Sequence, residues 1–241
     1  METNNIQIGV GAILDNNRLH IYDLNNDCIY EIMRRLSVRD VLELLGVFNE
    51  RFDEIIKQRL ALEKHFRYCL RDEYKYKYSH LLLIGKYLKS IYLSAGYSIR
   101  TEKILCLLYP LVQNPQFLTS LELHFIEFNI QYVKCINAAG ECLEELNLDF
   151  CRLRDNMLVA ILEKCRNLTK LSIIGNYDLS GTSLVNLNVK KLQALTLEEN
   201  DRWFFNVEEF AKNNPHIKVT LFSQYRVTKT EFNNSFSYSC F

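Results

Sequence analysis

Most signatures of catalysis are missing from this chain. It has no Gly-rich phosphate loop, no G-x-S-x-G elbow, no H-E-x-x-H pair and no cysteine paired with a histidine in a recognisable context, so the pattern points to a non-catalytic protein. Net charge is also missing. The totals of 29 basic and 29 acidic residues cancel, which argues against a general nucleic-acid or membrane-surface binder. No apolar run approaches the ~18–20 residues needed to cross a bilayer, and the start lacks a basic n-region followed by a long apolar core. The expectation is an intracellular protein, cytoplasmic or nuclear, with no nucleic-acid or membrane partner. The eight cysteines form no C-x-x-C pair, and His20, His65, His80, His124 and His216 fall at no metal-ligand spacing near them. No metal, other cofactor or disulfide framework is therefore expected. Cys28, Cys69, Cys106, Cys135, Cys142, Cys151 and Cys165 mostly occupy apolar positions in the pattern, and they read as reduced, buried thiols.

What the chain does have is a repeat. Leu143, Leu146, Leu148, Cys151 and Leu153 follow the pattern L-x-x-L-x-L-x-x-(N/C)-x-L of one leucine-rich repeat. Leu146 and Leu148, two apart, share one face of a short strand, and Leu143 and Leu153 turn inward from the coil on either side. Cys151 suits the bend after the strand, where a small side chain can bond to the turn's backbone. Three further copies begin at Leu118, Leu168 and Leu192, with Ile126, Asn176 and Asn200 at the bend, so the period is 25, 25 and 24 residues. A looser unit contains Leu88, Ile91 and Leu93, and Ile217, Val219 and Leu221 read as a shortened closing strand. Between strands the period becomes helical, as in 155–165 and 207–211. Such a unit cannot bury its apolar face alone and stacks on its copies. The fold class is α/β: a curved solenoid with short parallel strands inside and helices outside, preceded by a small helical unit.

That unit occupies 19–60. Ile29, Ile32, Met33 and Leu36 stripe a first helix that Asp23 or Asn25 can begin. Ser37 is placed to cap a second, with Asp40 in its first turn, and Phe48, Phe52, Ile55, Ile56 and Leu60 stripe a third. Residues 1–18 read as a flexible leader, 61–110 as a helical linker with a degenerate first repeat, 111–222 as the repeats and 223–241 as a tail that crosses the sheet face, caps the last repeat or lacks order. Tyr74, Tyr76 and Tyr78 alternate with lysines, a pattern of a strand or helix edge with snorkelling side chains.

The stretch from Leu24 to Val41 resembles the opening of an F-box, whose usual form is L-P-x-E-(I/L)-(I/L)-x-x-I-(F/L)-x-x-L-x-x-x-D-L. Val47 and Phe52 resemble the family's later Cys and Trp positions. Asn25 stands where the family has proline, Asp27 where it has glutamate, and Phe52 where it has tryptophan. The resemblance implies that the helical unit docks on the Skp adaptor and through it joins a cullin–RING (SCF-type) ubiquitin ligase, while the repeats hold a substrate protein. It implies that Leu24, Asn25, Asp27, Cys28, Ile29, Ile32, Met33 and Leu36 sit on or support the adaptor interface. The alternative is a ligase-independent repeat scaffold whose N-terminal helices cap the solenoid.

Residues alternating with the strand leucines are expected on the concave face. They include Glu122, His124, Glu145, Asn147, Asp149, Lys170, Ser172, Thr196 and Glu198, a mildly acidic lining suited to a substrate protein that presents basic or hydrogen-bonding groups.

Overall fold

The computed structural model describes residues 20–71, 76–185, 190–199 and 203–222, and the backbone of 229–232. The leader 1–18, the bend residue Asn200, Tyr74 and the rest of the tail lie outside the described residues. The chain divides into two compact units, 1–56 and 57–241, with the boundary inside the third helix.

In the first unit, a 3-10 turn at Ile21–Asp23 leads into α1 (Asn26–Arg35), α2 (Val38–Glu43) and α3 (Glu50–Leu60). Asn25 caps α1 by accepting from the backbone N–H of Cys28 at 2.8 Å, and Arg34 and Arg35 in the last turn suit its negative end. Ser37 caps α2, accepting from Asp40 N–H at 3.2 Å and donating its hydroxyl to the Asp40 carboxylate at 2.7 Å. Ile29 and Met33, four apart on α1, are buried, as are Val41, Leu42, Phe52, Ile55 and Ile56.

The second unit is a solenoid-like α/β fold. Its strands are β1 (His65–Cys69), β2 (Ser90–Ser94), β3 (Ser120–His124), β4 (Glu145–Asn147), β5 (Lys170–Ser172), β6 (Ala194–Glu198), β7 (Lys218–Phe222) and β8 (Lys229–Phe232). They lie side by side in chain order, parallel from β1 to β7, with β8 antiparallel on β7. The connections hold α4 (Tyr78–Gly85), α5 (Thr101–Val112), α6 (Ile130–Ala139), α7 (Asp155–Leu162), α8 (Thr182–Val185) and α9 (Val207–Asn213). The pairing aligns Phe66, Ile91, Leu121, Leu146, Leu171, Leu195 and Val219 in one row across seven strands, all buried. Each aliphatic member of that row contributes roughly 1.5–3 kcal/mol by leaving water.

The stretch 61–110, expected to be a helical linker with one degenerate repeat, holds two strands. β1 was not legible because Phe66 and Tyr68 stand where the repeat has leucines. The cysteine expectation also needs correction. Cys135, Cys151 and Cys165 are buried, but Cys28, Cys69, Cys106 and Cys142 are exposed. Cys69 takes the outward phase of its strand, two residues past exposed Arg67 on the same alternation. Burial pushes the thiols of Cys151 and Cys165 up to about 12, so both stay protonated near neutrality.

Two bend residues, Asn176 and Cys151, tie their repeats to the preceding ones. The Asn176 side chain is buried. Its Oδ1 accepts from the backbone N–H groups of Cys151 (3.0 Å) and Leu153 (2.9 Å), and its Nδ2 donates to the carbonyls of Leu148 (2.8 Å) and Ile173 (3.0 Å). Cys151 does the same more weakly one repeat earlier, its thiol donating to the Leu123 carbonyl at 3.1 Å. Asp155, at the start of α7, reaches the next repeat. It accepts from Ser180 N–H (2.7 Å), Ser183 N–H (2.9 Å) and the Ser183 hydroxyl (2.7 Å). Burial raises its pKa, but the bonds from Ser183 and Ser180 outweigh that and bring it down to about 2.

Asn176→Ala is expected to cost about 3 kcal/mol in urea unfolding, because it strands several buried backbone groups at once, and Cys151→Ala no more than half of that. A group with a lowered folded-state pKa stabilises above its ordinary range and loses that contribution in acid. The stability difference between the wild type and Asp155→Ala should therefore be constant near neutrality and shrink as pH falls from the ordinary aspartate range towards about 2.

Candidate functional site

Two surfaces hold the residues that the sequence singles out. On the first unit, Asn25, Asp27, Cys28 and Ile32 are exposed, Leu24 and Leu36 are half-buried, and Ile29 and Met33 are buried. The last two support the helix from inside and offer no surface. Cys28 and Ile32, four apart, form an exposed apolar strip on α1, and Ile32 keeps 40% of its surface. Sequence reading missed Arg51. Its guanidinium bonds Asn26 Oδ1 (2.7 Å) and the carbonyls of Tyr22 (3.2 Å) and Leu24 (2.5 Å), and so pins the segment that precedes α1 onto α3. Tyr22 also lies edge-on to Phe52 with ring centroids 5.6 Å apart. An arginine 25 to 29 residues downstream carries no local sequence signal for that role.

On the second unit, the strand side chains that point away from the buried row form the polar sheet face. The register brings together Tyr92, Glu122, Asn147, Ser172, Thr196 and Thr220 in one row, and Ser120, Glu145, Lys170 and Ala194 in the row beside it. Glu122, His124, Glu145, Asn147, Ser172, Thr196 and Glu198 are half-buried and Lys170 is exposed. Asp149 behaves differently. It is buried, and its Oδ1 accepts from the Ser172 hydroxyl and from Ile174 N–H, both at 2.8 Å, so it stitches β4 to β5. Glu145 and Lys170 pair at 2.5 Å, and that hydrogen bond with its charge raises the Lys170 pKa. Much of the expected acidic lining is thus consumed within the sheet. At the other end, Arg67 lies 4.0 Å over the Tyr92 ring, His124 lies 5.0 Å from the same ring, and His124 Nε2 is 3.5 Å from Glu122. Arg67 entered no sequence expectation because β1 was not seen, and Tyr92, on the looser unit that was read, was not assigned to the face.

Just beyond the strands, Phe125, Phe150 and Gly175 occupy equivalent positions of successive repeats, with φ of 56°, 56° and 69°. Glycine takes this left-handed backbone freely, whereas a phenylalanine there costs about 1–2 kcal/mol. The two phenyl rings stack at 4.9 Å and 10°, and Phe150 rests on Gly175, where a Cβ would come within 2.2 Å of the ring. Tyr97 meets Phe125 edge-on at 6.3 Å and donates its hydroxyl to the Phe150 carbonyl at 2.7 Å. Arg152, also left-handed, holds its guanidinium 4.9 Å over Tyr97 and 3.7 Å from Glu127. In the Trp203–Phe205 run, expected to be core, Phe205 is buried but Phe204 is 86% exposed.

Among the described residues, no three His, Cys, Asp or Glu side chains are placed to hold a metal ion, and no helix is long and apolar enough to cross a membrane. What fold and surfaces define is a solenoid-like α/β protein with an exposed helix strip on one unit and a polar sheet face with an aromatic rim on the other. No family model matches the chain, and no curated protein matches it. Among solved structures it is similar to a chain in the crystal structure of the Rad7 and Elc1 complex in yeast, at 12% identity over 82% of this chain and 67% of that one, with a TM-score of 0.38. At that level of similarity the likeness carries no functional information.

Asp149→Ala is expected to destabilise the chain by about 2 kcal/mol, because it leaves Ile174 N–H and the Ser172 hydroxyl unpaired. Lys170→Ala and Glu145→Ala, at an exposed pair, should each cost less than about 1 kcal/mol in the same urea titration.

Proposed function

We propose that the chain is the substrate-recognition subunit of an SCF-type cullin–RING ubiquitin ligase. The first unit docks on the Skp adaptor and the repeats hold a substrate protein. In this reading the chain does no bond chemistry. It tethers two proteins, which raises the effective concentration of the substrate beside the ubiquitin-loaded partner. The observation that carries the reading is how the F-box-like positions divide on α1. Ile29 and Met33 fill the interior, while Asn25, Asp27, Cys28 and Ile32 stand outside on a helix fixed by its Asn25 cap and by Arg51. A rigid helix with an exposed apolar strip binds without having to order itself first, and so loses less entropy on docking. Asn25 serves in place of the family's proline by a different means, since it satisfies a backbone donor where proline presets the turn.

The test is capture of the Skp adaptor by the co-expressed full chain. A complex that survives gel filtration is expected, and Ile32→Glu or Cys28→Glu should weaken capture by about tenfold or more while leaving the melting temperature in place. Ile29→Glu is not diagnostic, because a buried charge unfolds the helix. If the adaptor is not captured, or if both surface variants capture it as well as the wild type does, the ligase reading is wrong and a free-standing repeat scaffold takes its place.

A further inference from the structure

We infer that the aromatic shelf built by Tyr97, Phe125 and Phe150 is a docking surface for a basic segment of a protein partner, a lysine- or arginine-bearing stretch flanked by apolar residues. The inference rests on the repeats being the recognition part of the chain, and it does not depend on adaptor docking.

The backbone alone does not call for these rings. Positions 125, 150 and 175 share one left-handed conformation, and the third is filled by glycine, the residue that suits it. Phenylalanine at the other two is strained, and the strain is not offset by full burial. Phe125 and Tyr97 are each 41% exposed. Strained residues that stay exposed mark a surface kept for something outside the fold. The shelf is also stiff. The 4.9 Å stack, the seat of Phe150 on Gly175 and the Tyr97 hydroxyl bond to the Phe150 carbonyl fix all three rings before any partner arrives.

Charge decides what fits. The faces of aromatic rings attract cations, and Glu127, exposed at the side chain, stands two residues after Phe125 and faces the guanidinium that lies over Tyr97. The chain already shows the complementary group in position, since Arg152 lays its guanidinium 4.9 Å over Tyr97 and 3.7 Å from Glu127. That side chain is more than half exposed, an occupant that a partner's cation can displace. An acidic segment would meet the Glu127 carboxylate, and the Arg152 guanidinium is already engaged with it.

The experiment uses the full chain and three short fluorescent peptides of equal apolar content that carry arginine and lysine, serine, or glutamate at the same positions. In fluorescence anisotropy the basic peptide should bind at least about tenfold more tightly than the serine peptide, and the glutamate peptide least. Phe125→Gly should weaken the basic peptide by about tenfold while the melting temperature holds or rises, because glycine accepts the backbone at 125. Glu127→Lys should erase the charge preference, and Arg152→Ser should tighten binding several-fold by removing the internal competitor. The inference is overturned if the glutamate peptide binds best, if none of the three binds, if Phe125→Gly leaves affinity unchanged, or if that variant melts well below the wild type, which would make the ring structural. Adaptor capture, measured separately, tells this failure from failure of the ligase reading.

Discussion

One row of side chains runs through the middle of the second unit, and almost everything else follows from it. Phe66, Ile91, Leu121, Leu146, Leu171, Leu195 and Val219 face one another strand after strand. A strand of three to five residues offers only one or two such inward positions, so no repeat has a core without its neighbours. A slip of one residue in any pair would turn the whole inward set outward and bring polar residues such as Glu122 and Asn147 in. The polar face is therefore the obligatory complement of the apolar one, and its composition is free to vary only because the other face is not.

Close stacking of backbone on backbone creates a second demand, since the bend after each strand buries amide groups that lie beyond the ladder. Asn176 meets it with bonds to both sides of the Cys151 turn, Cys151 meets it with a weaker thiol, and Ile126 with no polar atom at all. The bend position thus grades from apolar to fully hydrogen-bonded along the chain. Asp155 and Asp149 perform similar cross-repeat work from a helix start and a strand end, Asp155 with both carboxylate oxygens and Asp149 with Oδ1.

What could be read beforehand follows from the range over which each signal acts. The leucine spacing is local and periodic, and it located β2 to β7, while the helical period between them marked α7 and α9. β1 was hidden because Phe66 and Tyr68 carry the inward phase without leucine, and β8 because its antiparallel pairing with β7 is decided by the partner strand. On α1 the periodicity marked Ile29, Ile32 and Met33 alike, yet two of them are interior and one is surface, since a stripe shows which residues share a face but not where burial stops. Asp149 looked like a surface acid because strand alternation says nothing of a hydrogen bond to the next repeat. The aromatic shelf was the least legible feature, for left-handed backbone is normally announced by glycine, and at Phe125 and Phe150 it is not.

β8 runs against its neighbour and takes up the outer edge of β7 with four residues, Lys229–Phe232. That pairing takes up the backbone donors and acceptors of the β7 edge, so no further parallel repeat can pair directly on β7. One more parallel repeat after β7 would first have to displace Lys229–Phe232 from that edge.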